Sequence, residues 1–194
     1  MFDLERGDNM KVGIVSSRFQ ILNLKHIEYI LAAKMRCKRL YIGIEMPDTI
    51  YIAQLDQVAR YTWEKENPLT YTERHEMLCQ ALLEFGMDKS EFDIIPFPIH
   101  YPDYLLQYMP NNATYFLGIS TESDRQKKET LEKLELKSEV LWERDKENQG
   151  VTEQEVLDMI MNNRKWEQYV PKTTAKYMKK EKLVSKIKDL VVES

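Results

Sequence analysis

The chain is short of the residues that build covalent frameworks and metal cages. Its 194 residues hold two cysteines, Cys37 and Cys79, and three histidines, His26, His75 and His100. Two thiols in helical-looking segments make no disulfide framework. With three scattered histidines they also lack the spacing of a zinc site, so no metal-ligating side chains are expected and a reducing, cytoplasmic setting is. No apolar run is long enough to cross a bilayer. Residues 1–10, MFDLERGDNM, lack the apolar centre of a secretory leader and are expected to form a polar arm. An excess of basic charge is also missing: the net charge of −4 argues against a general nucleic-acid binder. There is no internal repeat and no low-complexity segment.

What is there is enough apolar material for a core, at 43% of residues. The length predicts one main domain, taken as residues 11–170, followed by a basic C-terminal helix over 171–194 that packs on it. Short apolar, β-branched runs predict strands at 11–16, 39–46, 91–98, 113–120 and 138–144. Helical spacing of apolar residues predicts helices at 23–35, 70–86, 103–109, 122–135 and 152–163. Asn23 is a candidate N-cap, Thr70 with Glu73 forms a capping-box pattern, and Pro171 opens the last helix. Residues 53–66, in a long polar connection, are expected to be partly helical. Strands alternating with helices predict an α/β fold: a Rossmann-like, doubly wound, parallel five-stranded sheet. Such sheets bind ligands beyond the carboxyl ends of the strands, where strand order reverses. That directs attention to residues 17–26, 118–125 and 144–152.

The first of these loops contains RFQILNLKH, residues 18–26, without a glycine. It lies between a strand and a helix. A helix N-terminus offers unpaired N–H groups and partial positive charge, and so attracts phosphate. Arg18, Lys25 and His26 gather at that end, with Ser16 and Ser17 as hydroxyl donors. On these grounds alone a solvated polar turn remains an equal alternative.

The segment GIVSSRFQILNLKHIEYI (13–30) resembles the opening of the nucleotidyltransferase superfamily of HxGH type. It is nearest to archaeal-type nicotinamide-mononucleotide adenylyltransferases, whose loop reads GRFQPFHxGH. NPLTYTERHEML (67–78) is similar to the NPFTxxERxEM segment of that family, and WEQYVP (166–171) to its WRxLVP. The resemblance spans residues 11–180, and the order of the three matches is its specific part.

It implies transfer of a nucleotidyl group from a nucleoside triphosphate, with ATP favoured, to a phosphorylated small molecule. Nicotinamide mononucleotide is the default acceptor, which would place the enzyme in NAD biosynthesis. Pyrophosphate leaves, and Mg2+ bridges phosphate oxygens. The resemblance places Arg18, Asn23, Lys25 and His26 in the catalytic loop. Ser17, Gln20, Gly118, Ser120, Thr121, Arg125, Arg144 and Thr152 fall on the nucleotide side. Arg74, Tyr101 and Tyr104 fall on the acceptor side. No nucleic-acid or membrane partner is expected, and a homo-oligomer is left open.

The departures from the family pattern fall at functional positions. Asn23 stands for the first histidine and Lys25 for the glycine. An asparagine donates a hydrogen bond but carries no charge. After the fifth strand the family has an SxTxIR helix start. TEQEVL (152–157) retains Thr152 but puts Leu157 at the arginine. Arg144, Arg125 and Lys127 are substitutes on offer. On the acceptor side Leu105 falls on the tryptophan and Pro102 on the asparagine, with Tyr101, Tyr104 and Trp63 as alternative aromatic faces. These departures keep a catalytically inactive nucleotide-binding homologue open. GISTESD (118–124) is similar to the GISTS signature of cytidylyltransferases, though after a different strand, and keeps a cytidylyltransferase acting on a lipid or glycan precursor open as well.

Overall fold

The computed structural model describes residues 11–46, 63–110 and 112–192. The expected arm over 1–10, and the stretch 53–66 apart from a short helix at 63–66, lie outside the described residues.

Five strands make one sheet: β1 (Val12–Ser17), β2 (Arg39–Glu45), β3 (Phe92–Phe97), β4 (Thr114–Ile119) and β5 (Ser138–Glu143). Their order is β3-β2-β1-β4-β5. Every pairing is parallel. The chain steps outward from β1 to β3, then returns to lay β4 against the other side of β1. The reversal therefore falls between β1 and β4.

Besides the short helix at 63–66, the helices among the described residues are α1 (Leu24–Lys34), α2 (Tyr71–Glu84), α3 (Pro102–Leu105), α4 (Glu122–Lys133), α5 (Glu153–Met161), α6 (Lys172–Lys180) and α7 (Leu183–Val192). The apolar runs of the inner strands are explained by burial on both faces. Successive side chains of β1 point to opposite sides. Val15 packs with Ile42, Met77, Val156 and Met178 on one face. Ile14 packs with Phe97, Leu105, Tyr115 and Leu131 on the other.

Two expectations change. The helix expected over 103–109 shrinks to α3, whose inward side is Leu105, with Met109 half-buried beyond it, while Tyr104, Leu106 and Tyr108 are exposed. The C-terminal helix is two helices. Lys182 has φ 57, a left-handed conformation that breaks the run between α6 and α7. The break lets both apolar stripes reach the core: Met178, Leu183 and Ile187 are buried in the main cluster. Lys186 reaches back to Glu73 at 2.8 Å.

Candidate active site

Four helices begin with the same local device, and one of them is different. In α2, α4 and α5 a threonine caps the helix, and the acid three residues on reciprocates: Thr70 with Glu73, Thr121 with Asp124, Thr152 with Glu155. In α1 the pair is Asn23 and His26, and the first turn holds no acid. Asn23 Oδ1 accepts the His26 N–H at 3.0 Å, and His26 Nδ1 accepts the Asn23 N–H at 3.3 Å. Because Nδ1 accepts, the ring proton sits on Nε2. That nitrogen lies 3.4 Å from Ser17 Oγ and 3.8 Å from Glu153 Oε2. Burial pushes the imidazole down to about pKa 4, with Glu153 opposing the shift, so it is neutral at pH 7. The end of β1 thus presents a neutral N–H donor at the one of these helix starts whose dipole its own acid does not offset.

The rest of the loop is fixed by long-range bonds. Asn23 is 1% exposed, and its Nδ2 donates to the Val151 carbonyl at 3.1 Å, tying α1 to the loop before α5. Phe19 holds a left-handed φ of 50, is fully buried, and meets the His26 ring edge-on at 5.0 Å. Such a conformation costs a bulky residue about 1–3 kcal/mol and persists only where its surroundings enforce it. Gln20 is also buried. Its Oε1 accepts the Leu69 N–H at 2.9 Å, and its main-chain N–H donates to Glu153 Oε2 at 3.2 Å. Arg18 pairs with Glu153 Oε1 at 2.5 Å. At the end of β1, Ser16 and Lys127 both hold Glu45, at 2.8 and 2.5 Å.

Lys25, where the resemblance expects glycine, reaches Gln149 Oε1 at 3.0 Å. Burial lowers its pKa against the pull of Asp124 and Glu153. It stands at the mouth of a cavity of about 360 Å3, with Leu24, Glu28, Arg144, Gly150 and Val151 among its walls. Arg144 makes a two-pronged bond to Glu28, at 2.9 and 2.6 Å, and lies 4.3 Å over the Trp142 ring. Trp142 occupies the space that Gly118 leaves: a β-carbon there would come within 2.9 Å of the indole nitrogen. Gly118 thereby seats the tryptophan on which Arg144 rests.

The other candidates divide. Ser120 and Thr121 donate main-chain N–H groups to Asp124 at 3.0 and 2.9 Å, and Thr152 donates its own to Glu155 at 2.8 Å. Those two helix starts are closed by their own acids. Arg125 is more than half exposed and 3.5 Å from Glu143. Tyr101 and Tyr104, 37% and 59% exposed, follow β3, two strands from β1 and so roughly 10 Å away across the sheet.

Arg74, which the resemblance puts on the acceptor, is 2% exposed. Its guanidinium donates to the carbonyls of Arg18, Glu45, Met46 and Thr70, at 2.7, 2.7, 2.9 and 3.3 Å. It braces the loop after β1 against the end of β2, and its bonding to protein carbonyls leaves little with which to grip a ligand. Leu157, at the position where the family has arginine, is 1% exposed in the core.

Glu153, Glu28 and Gln149 enter the site without having been read in the sequence. An acid in the first turn of a helix has an ordinary explanation in the helix dipole. Nothing local indicates that Glu153 reaches a loop 133 residues earlier. Among the described residues, no three His, Cys, Asp or Glu side chains come together to hold a metal ion. None of the described helices is long and apolar enough to cross a membrane.

Comparison with known proteins now has a geometry to meet. No protein-family model matches the chain. Phosphonoformate cytidylyltransferase of Streptomyces viridochromogenes is 33% identical over 167 residues, covering 86% of this chain and 90% of its own. Nicotinamide-nucleotide adenylyltransferase of Thermococcus onnurineus is 25% identical over 185 residues, covering 93% and 88%. A bifunctional NMN adenylyltransferase/ADP ribose pyrophosphatase from Francisella tularensis, solved with AMP and a Mn ion, shares the fold with a TM-score of 0.62 at 17% identity. That match takes in 95% of this chain but 52% of the other, so the chain spans about half the length of that protein. With a parallel sheet that reverses at β1 and β4, a helix start bare of acid beside His26, and a cytidylyltransferase matched along most of both chains, this chain belongs to the nucleotidyltransferase family and is an enzyme of that class.

Proposed function

We propose that the enzyme transfers a cytidylyl group from CTP to a small acceptor carrying a phosphonate or phosphate. An acceptor oxygen attacks the α-phosphorus, the bond from that phosphorus to the bridging oxygen breaks, and its electron pair leaves with pyrophosphate. The α1 start carries the proposal: a neutral His26 Nε2–H at a helix N-terminus with no acid in its own first turn, and Lys25 beside it lining a cavity. The choice of CTP rests on the cytidylyltransferase relative, matched at higher identity than the adenylyltransferase. A small acceptor is favoured because Leu105, at the position of the family's tryptophan, is fully buried and offers no face to a nicotinamide ring.

In this account His26 donates to a phosphate oxygen, the α1 N–H groups offset the charge that develops there, and Lys25 holds the triphosphate in ground and transition states alike. Asn23 and Arg74 position the loop. Arg18, Ser17 and the main chain at Gln20 complete the seat. Arg144 on Trp142 walls the cavity that takes the base or ribose. Ser120, Thr121, Thr152 and Arg125 lie outside the lining of that cavity, and Tyr101 and Tyr104 are left for the acceptor side. The described residues do not form a metal cage, so a divalent ion fits only as a companion of the triphosphate.

ATP with nicotinamide mononucleotide is the second reading, supported by the adenylyltransferase relative. Pyrophosphate release, measured with CTP and with ATP against small phosphonates, sugar phosphates and nicotinamide mononucleotide, decides between them. CTP turnover with a small phosphonate or phosphate supports the proposal, and turnover confined to ATP and nicotinamide mononucleotide replaces it.

A further inference from the structure

The seat after β1 already holds an anion, and that anion belongs to the protein. Glu153, the first residue of α5, has a side chain only 11% exposed and turned toward α1 rather than solvent. One oxygen pairs with Arg18 at 2.5 Å. The other accepts the Gln20 main-chain N–H at 3.2 Å and lies 3.8 Å from His26 Nε2. A guanidinium, a loop N–H and a neutral imidazole N–H are the donor set a phosphate oxygen would take. The carboxylate is not needed to cap its own helix, because Glu155 closes the Thr152 box.

We infer that Glu153 is an internal competitor for the phosphate seat, an affinity-determining residue that must swing away before the triphosphate can settle. This rests on the assignment of residues 17–26 as that seat. Three consequences follow from charge and geometry. A polyanion entering beside an undisplaced carboxylate meets like charge at short range, which weakens its binding. While Glu153 is in place, its carboxylate holds Arg18 and the Gln20 N–H, so the same residue keeps the loop ordered. After pyrophosphate leaves, the carboxylate has somewhere to return, which favours product release.

The test is isothermal titration of the full chain with inorganic pyrophosphate, CTP and cytidine in the presence of a chelator. The proteins are wild type, Glu153→Gln and His26→Ala. A glutamine keeps the size and one acceptor oxygen but carries no charge, and its amide nitrogen donates instead of accepting. Glu153→Gln is expected to bind pyrophosphate and CTP roughly tenfold more tightly, with cytidine binding unchanged. A residue that only braced Arg18 would instead weaken binding when changed, and equal or weaker binding of both anions overturns the inference. If His26→Ala still loses pyrophosphate binding in that case, the seat itself stands. If pyrophosphate binds equally to wild type and His26→Ala, the seat falls and takes the inference with it. A crystal structure of the wild-type protein with pyrophosphate needs no variant. Glu153 gone from Arg18 and the Gln20 N–H supports displacement, and Glu153 still bonded to both beside bound pyrophosphate overturns it.

Discussion

The starts of α1 and α5 face each other across the end of the sheet, built on the same capping rule with opposite electrical results. At α5 the box is Thr152 and Glu155, and Glu153 adds a second acid. At α1 it is Asn23 and His26, with no acid at all. A neutral imidazole in place of a carboxylate keeps the cap and leaves the dipole exposed to an incoming anion. The same end of the sheet thus holds one helix start with no acid of its own and one whose acid reaches over to it. The family pattern that the sequence resembles has an arginine near the α5 start, and here Leu157 stands there, buried in the core. The cations nearest the α1 start are Arg18, paired with Glu153, and Lys25, bonded to Gln149.

The largest test of this asymmetry removes His26. His26→Ala is expected to lower turnover by at least roughly 100-fold, the usual effect of losing one preorganised donor at a reacting phosphate. His26→Gln retains the capping box and serves as the stability control. If both variants turn over like the wild type, α1 is not the special helix start.

Next comes the brace that shapes the loop. Arg74→Met leaves several buried carbonyls without their donor and is expected to cost about 3 kcal/mol, lowering Tm by roughly 10 °C for a chain of this size. A thermal melt within a few degrees of the wild type would show that the loop does not depend on Arg74.

Acidification probes the same imidazole without mutation. His26 is depressed from an ordinary 6.5 to about 4, so the unfolded chain takes up a proton before the folded one does. Its contribution to stability is full above pH 6.5 and is lost as pH falls toward 4, by about 3 kcal/mol at most. Urea midpoints measured from pH 7 to 4 should fall less steeply in His26→Gln than in the wild type, and parallel curves would contradict a buried neutral ring.

Lys25→Ala should raise the KM for nucleotide roughly tenfold with a smaller change in kcat, as expected for a cation that binds ground and transition states alike. An unchanged KM would return the glycine-to-lysine departure to a neutral substitution. The smallest effect is expected far from α1. Tyr104→Ala, on the exposed face beyond β3, should move only the KM for acceptor, by less than about threefold, and a large fall in kcat would bring α3 into the catalytic centre.

The strands, most helices and the Thr70–Glu73 box were legible in the sequence because each depends on neighbours within a few residues. The turn from β1 into an Asn23-capped helix was legible for the same reason. What could not be read are the contacts that close the site from afar. Asn23 is legible as a cap, but not as a donor to a carbonyl 128 residues later. The TxxER segment identifies Arg74, but its four carbonyl partners exist only once β1, β2 and α2 have packed. Gly118 reads as part of a nucleotide signature, whereas its contact is with Trp142 of the next strand. The basic tail reads as one amphipathic helix because nothing in its composition marks the turn at Lys182.

The central claim is that the triphosphate belongs at the start of α1. A crystal structure with a CTP analogue that cannot release pyrophosphate tests it most directly. The account predicts phosphate oxygens against His26 Nε2 and Lys25, with the base or ribose beside Arg144. Phosphates seated instead at the start of α4 or α5, with the α1 loop unchanged, would contradict it.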